Sequence, residues 1–164
     1  MNCFTFDFKA LYDSLEPELV KEAIRNAMDT CRPDWSVELK EWIISLIDFS
    51  LRASVAKYDG SWWKQNHGIP TGGSLCVQLA NITVYYVMSK NVYSIPHMMT
   101  NITEVKRFID DGAGFHFGSE EQFNDWLAKV NECIAPLGLC IDESNFKNTY
   151  ILLYLFSLEN YIKI

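Results

Sequence analysis

Hydrophobic and polar positions change period several times along this chain, and each change marks an element. Residues 3–8, C-F-T-F-D-F, carry an aromatic ring at every second position, the period of a half-buried strand. Ser14 is placed to cap a helix with Pro17 in its first turn, running to about Thr30 with Leu19, Val20, Ala23, Ile24 and Ala27 on one face. Pro33 separates it from a second helix over 36–51, rich in Trp42, Ile43, Ile44, Leu46 and Ile47. Residues 54–66 read as a hairpin turning at Asp59-Gly60. Residues 68–73 form a loop. Residues 74–89 are apolar nearly all round, as in a buried helix whose polar exceptions, Gln78 and Asn81, share a face. Strands over 105–109 and 113–117 meet at Asp110-Asp111-Gly112. Ser119 and Gln122 make a capping box for a helix reaching about Ile134, Gly138 ends that segment, and 150–156 read as an apolar strand. Strands and helices mix without regular βαβ alternation, which predicts an α+β fold.

Composition narrows the function classes. The 164 residues suit one domain, and 49% of them are apolar, enough for a real core. No run approaches the ~20 apolar residues of a membrane helix, and no basic region followed by an apolar run opens the chain as in a secretory signal. The five cysteines, Cys3, Cys31, Cys76, Cys133 and Cys140, are odd in number and form no C-x-x-C pair. They read as reduced, mostly buried thiols of an intracellular protein, nuclear or cytoplasmic, and not as a zinc site. A net charge of −7 counts against a self-sufficient nucleic-acid binder, because phosphate binding depends on Lys and Arg. It is compatible with carboxylates that hold metal ions.

Three pieces carry candidate chemistry. Asp7 lies within an aromatic strand, where a carboxylate is costly unless it has a partner, although a strand-end Asp can also cap the next turn. Asp110 and Asp111 are adjacent carboxylates that repel each other. Asp-Gly is an ordinary turn signal, but one Asp would serve the turn equally well, and a bound divalent cation gives a reason for two. The third piece, Gly68-Ile69-Pro70-Thr71-Gly72-Gly73-Ser74, is either a plain flexible lead-in to a helix or a backbone that approaches a ligand closely. It is no Walker loop, since no Lys follows the glycines. Trp62 and Trp63 could stack on a base, but one of two adjacent strand residues normally faces the core.

Taken together, these pieces carry a family resemblance. F-T-F-D-F-K-A-L-Y-D-S-L resembles the first palm motif of reverse transcriptases, with Tyr12 five residues after Asp7. G-I-P-T-G-G-S-L-C-V-Q-L-A-N resembles the second motif, and R-F-I-D-D-G the third. L-G-L-C-I-D-E-S-N-F-K resembles the fourth, with Lys147 as its lysine, although the family usually places that lysine nearer the Leu-Gly-Leu turn. F-I-D-D-G joined to G-I-P-T-G-G-S is similar to retroelement enzymes of the Penelope-like group.

The resemblance implies a polymerase palm, an antiparallel sheet with helices packed on one face. It implies a partial domain over 1–164, truncated at both ends, lacking most of the fingers and all of the thumb. The implied activity is RNA-directed DNA synthesis by two-metal nucleotidyl transfer, with dNTP, an RNA template and a DNA primer as partners. By the same resemblance Asp7, Asp110, Asp111 and the Phe8 carbonyl hold two Mg2+ ions, with Mn2+ as a substitute. Tyr12 lies under the incoming sugar, Thr71 and Gly72 lie against the nucleotide, and Lys147 donates a proton to pyrophosphate. Gln78 and Asn81 face the template or bond within their helix. Two other readings compete: a non-catalytic retroelement remnant acting at most as a binding module, and an RNA-directed RNA polymerase. Tyr12 argues against the latter, because a bulky ring under the sugar disfavours ribonucleotides.

Overall fold

Aromatic alternation does produce the first strand, β1 (Asn2–Phe8), and the sheet is built around it. The computed structural model describes residues 1–147, with side chains through Asp142. After β1 come α1 (Leu11–Ser14), α2 (Pro17–Cys31), α3 (Val37–Arg52) and a hairpin of β2 (Val55–Tyr58) and β3 (Ser61–Lys64). Then follow α4 (Cys76–Met88), two short helical turns, β4 (Ile102–Phe108), β5 (Asp111–His116), α5 (Glu120–Ile134) and β6 (Ile141–Lys147). The main sheet is antiparallel with strand order β4-β5-β1-β6, and β2-β3 stand apart as a two-stranded sheet. The chain is therefore α+β. The strand expected over 150–156 lies outside the described residues.

The core collects on one face of β1. Phe4, Phe6 and Phe8 are buried while Thr5 and Asp7 between them are not. Phe4 packs on Phe123 and Trp126 of α5, with ring centroids 4.9 and 5.4 Å apart. Helices α2 and α4 pack together beside this cluster, and α3 rests on α2 through Ile44, Ile47 and Leu51. The opposite stripe of α3, Leu39, Trp42, Leu46 and Phe49, is exposed.

The first and third motifs are fitted to each other across β1 and β5. In the β1–β5 register Phe4 faces Gly114 and Phe6 faces Gly112. A Cβ on Gly112 would lie 2.0 Å from the Phe6 ring, and one on Gly114 would lie 2.5 Å from the Phe4 ring. The glycines of D-D-G-A-G thus make room for the rings of F-T-F-D. This corrects the expected hairpin. Gly112 belongs to β5 and not to the turn, which is Ile109-Asp110, and the positive φ falls on Ile109 at 56°. A β-branched residue in that region is an outlier, so the turn is held by its surroundings.

Other expectations divide along physical lines. The Ser119–Gln122 capping box forms in both directions. Ser36 caps α3, accepting from the Leu39 N–H at 3.3 Å. Asp59 and Gly60 both have positive φ, as a two-residue hairpin requires. Ser14 is no cap of α2. That helix begins after Glu16, and Ser14 instead ends α1, its hydroxyl donating to the Lys9 carbonyl at 3.4 Å. All five cysteines are free, but only Cys3 and Cys76 are buried. Among the described residues no helix is long and apolar enough to cross a membrane.

Candidate functional site

Strand register brings distant carboxylates together. Asp7 is directly opposite Asp111 on one side and Asp142 on the other, so three aspartates line one level of β5, β1 and β6. The Phe8 N–H donates to the Asp110 carbonyl at 3.1 Å, tying the end of β1 to the turn. The β6 register shifts beside Asp7, between Thr5 and Asp7, a bulge of the kind that re-aims side chains near sites. Crowding and the negative charges of Asp110 and Asp111, then Asp142, push the Asp7 carboxyl above its ordinary value, against the pull of the Phe8 N–H. Asp142 was not foreseen as a neighbour. Nothing local in the sequence marks a residue 135 positions away as a strand partner of Asp7.

The donor set is carboxylate oxygen, which suits a hard divalent cation. Among the described residues, however, no three His, Cys, Asp or Glu side chains are grouped closely enough to enclose an ion as they stand. The donor chemistry fits, and the arrangement is an open, mutually repelling cluster rather than a closed cage.

The glycine-rich loop docks on the short segment that follows β1. The Ile69 N–H donates to the Tyr12 carbonyl at 2.8 Å. Gly68, at φ 68°, allows that approach: a Cβ there would lie 2.4 Å from the Tyr12 oxygen. Pro70-Thr71-Gly72-Gly73 forms a turn, with Gly72 at φ 86° in the position that turns of this kind reserve for glycine. Thr71 and Gly72 are exposed, and Tyr12 is partly buried against the core. The Lys147 backbone pairs with Cys3, four residues along β1 from Asp7, or about 13 Å at ~3.3 Å per residue.

One residue that carried no role in the sequence joins the second and third motifs. Arg107 on β4 donates to the Asn81 side-chain oxygen at 2.9 Å and to the Asn81 carbonyl at 3.0 Å, and it also donates to the Ile109 carbonyl. Helix α4 and the strained turn are thereby clasped by one planar, five-donor group. Burial pushes the Arg107 pKa down, countered by Tyr93 and Asp110. Its available signal was only the second of two adjacent cations, Lys106 and Arg107, between Val105 and Phe108. Asn81 is thus bonded within the fold, whereas Gln78 is exposed.

Trp62 and Trp63 depart from expectation, since neither faces a core. They are 71% and 60% exposed.

No family model matches the chain, and no curated protein matches it. Solved structures do. Apo telomerase from Candida tropicalis aligns with a TM-score of 0.66 at 16% identity, over 90% of this chain and 28% of that one. The form truncated from its C-terminal domain gives 0.63 at 19% identity, over 90% and 30%. Telomerase from Candida albicans in complex with the TWJ fragment of telomeric RNA gives 0.67 at 13% identity, over 90% and 28%. The chain spans less than a third of these telomerases. At such identities the likeness establishes the fold alone, which the chain shares with part of these telomerases.

Proposed function

We propose that this chain is the palm segment of an RNA-directed DNA polymerase of retroelement origin. The observation that carries the reading is the pairing of Asp7 with Asp111 across β1 and β5, with the Asp110 carbonyl bound to the next residue, Phe8. Two sequence motifs about a hundred residues apart thus present carboxylates at one place, where desolvation and then the charges of Asp110 and Asp111 raise the Asp7 pKa. Asp7, Asp110 and Asp111 would hold two magnesium-class cations. When bound, these supply neutralisation of triphosphate charge and a primer 3′-hydroxyl of lowered pKa.

The chain's own side chains do the positioning. Tyr12, anchored through its carbonyl to the glycine-rich loop, supplies the ring that lies under the incoming sugar and selects dNTP over rNTP. Thr71 and Gly72, exposed on that loop, line the nucleotide and the template base. The partners are dNTP, an RNA template and a DNA primer. The likeness to telomerases supports polymerase architecture, and the retroelement assignment rests on the F-I-D-D-G and G-I-P-T-G-G-S motifs.

Cation binding tests the reading directly. Magnesium or manganese at ten times its Kd should stabilise the fold by about 1.4 kcal/mol, and Asp110→Asn should abolish most of that gain. A melting temperature unchanged across millimolar magnesium, in a cooperatively unfolding sample, would support the non-catalytic remnant instead. Alone, residues 1–164 should extend no primer on RNA, since catalysis here depends on positioning and a chain of net charge −7 has too few clustered cations to hold a primer–template duplex in place. Extension that Asp110→Asn abolishes would show that this segment suffices.

A further inference from the structure

The β2–β3 hairpin has a chemical asymmetry that its exposure alone does not explain. Every residue of both strands is exposed, so neither face is packed into a core. Opposed residues in the ladder share a face, and the pairs are Val55–Lys64, Ala56–Trp63, Lys57–Trp62 and Tyr58–Ser61. One face therefore carries Trp62 with Lys57 opposite it and Lys64 beside it. The other carries Trp63 with Tyr58. The Lys57 ammonium lies 5.7 Å from the Trp62 ring centroid, and Trp62 is 71% exposed. On the other face Trp63 is engaged, its indole N–H donating to the Tyr58 carbonyl at 3.4 Å.

We propose that the Lys57–Trp62–Lys64 face is a stacking platform for single-stranded nucleic acid, with a base on the Trp62 ring and the two ammonium groups on flanking phosphates. An exposed ring between cations is the pattern that binds single strands without sequence preference. Protein interfaces, by contrast, are depleted in lysine at their cores. The exposed stripe of α3, which holds Leu39, Trp42, Leu46 and Phe49 and no lysine, has the character of a protein-contacting face; the hairpin does not. Charge points the same way. In a chain of net charge −7, the span from Ser54 to His67 carries two lysines against one carboxylate, Asp59. The hairpin also leads, through Asn66 and His67, straight into the glycine-rich loop. This deepens the polymerase reading by giving the strand it copies a holding point, but the contact itself requires no metal.

Fluorescence anisotropy of labelled oligouridylate and oligothymidylate, titrated with the chain at low salt, tests this. Binding should occur with either oligomer, persist in EDTA and be unaffected by Asp110→Asn, which separates it from the metal site. Trp62→Ala should weaken it about tenfold, the scale of one base stack. Trp63→Ala should change it less than about twofold. The combined Lys57→Ala and Lys64→Ala variant should flatten the salt dependence, which for two phosphates has a log–log slope of about −1.4. Circular dichroism melts verify that each variant folds. No binding by the folded wild type, equal losses from Trp62→Ala and Trp63→Ala, or equal affinity for duplex would each overturn the proposal, the first leaving the hairpin as a protein-docking element.

Discussion

Replacing Arg107 should loosen the junction between helix α4 and the double-aspartate turn. The guanidinium supplies three hydrogen bonds, two to Asn81 and one to the Ile109 carbonyl. Bonds to a charged donor contribute about 1.5–3 kcal/mol each where water is excluded. Arg107 is only half-buried, so water can reach some of the abandoned acceptors, and bonds sharing one donor group are not additive. Arg107→Met should therefore cost about 2–4 kcal/mol, a large part of the ~5–15 kcal/mol of a typical domain. Arg107→Lys should recover less than half, because one ammonium cannot span Asn81 and Ile109 together. Urea unfolding followed by far-ultraviolet circular dichroism measures both. A double-mutant cycle with Asn81→Ala should give a coupling energy of about 1–2 kcal/mol. Additivity within ~0.3 kcal/mol, with Arg107→Met losing less than ~0.5 kcal/mol, would refute the clasp. Because that clasp also holds the Ile109 carbonyl, Arg107→Met should halve the magnesium-dependent gain in melting temperature, whereas an equally destabilising core variant remote from the turn should leave that gain intact.

Three further outcomes follow from the same geometry. Gly112→Ala should destabilise by about 1–3 kcal/mol in urea titration, since its Cβ would meet the Phe6 ring at 2.0 Å. The variant Asp7→Asn should be more stable than the wild type at neutral pH without metal. The Asp7 pKa is raised on folding, so the wild type is penalised above its folded pKa and that penalty vanishes as pH falls below the unfolded value of 3.8; an advantage that grows on acidification would contradict this. His116 is buried against Phe123, and burial pushes its pKa below 6.5, so protonation in the unfolded chain should erode stability as pH falls from 6.5. His116→Gln should flatten that decline in melts across this range.

Local chemistry was legible in the sequence wherever the deciding atoms are close along the chain. The Ser119–Gln122 box and the Asp59-Gly60 hairpin each depend on a few adjacent residues, and both form as read. The double-aspartate hairpin was read one step out of place because its turn is chosen by a ring from another strand. Phe6 needs the bare backbone of Gly112 beneath it, so the glycine goes to β5 and Ile109 takes the positive φ. Ser14 was misassigned because it closes the short helix α1, which leaves Glu16 to precede α2. The expectation that Trp62 or Trp63 faces a core presumed a covering layer, and the described residues supply none over the hairpin. The candidate site itself was legible as motifs, but not Asp142 or Arg107, whose partners are set by sheet register and helix docking.

The seating of Phe6 on Gly112 bears on how such a chain can change over generations. Ring and glycine divide a single volume between two strands, so a larger residue at 112 is tolerated only with a smaller one at 6. The aspartates are under no such bond. Asp7 and Asp111 are exposed, and at Asp7 desolvation and the surrounding carboxylates outweigh the one favourable Phe8 N–H, so the fold loses little when Asp7 becomes asparagine. In a descendant released from chemistry, the aspartates should therefore erode first and independently, while the ring–glycine pair persists or changes in concert. Aspartates that outlast drift at freely substitutable surface positions record selection on what they do rather than on how the chain folds.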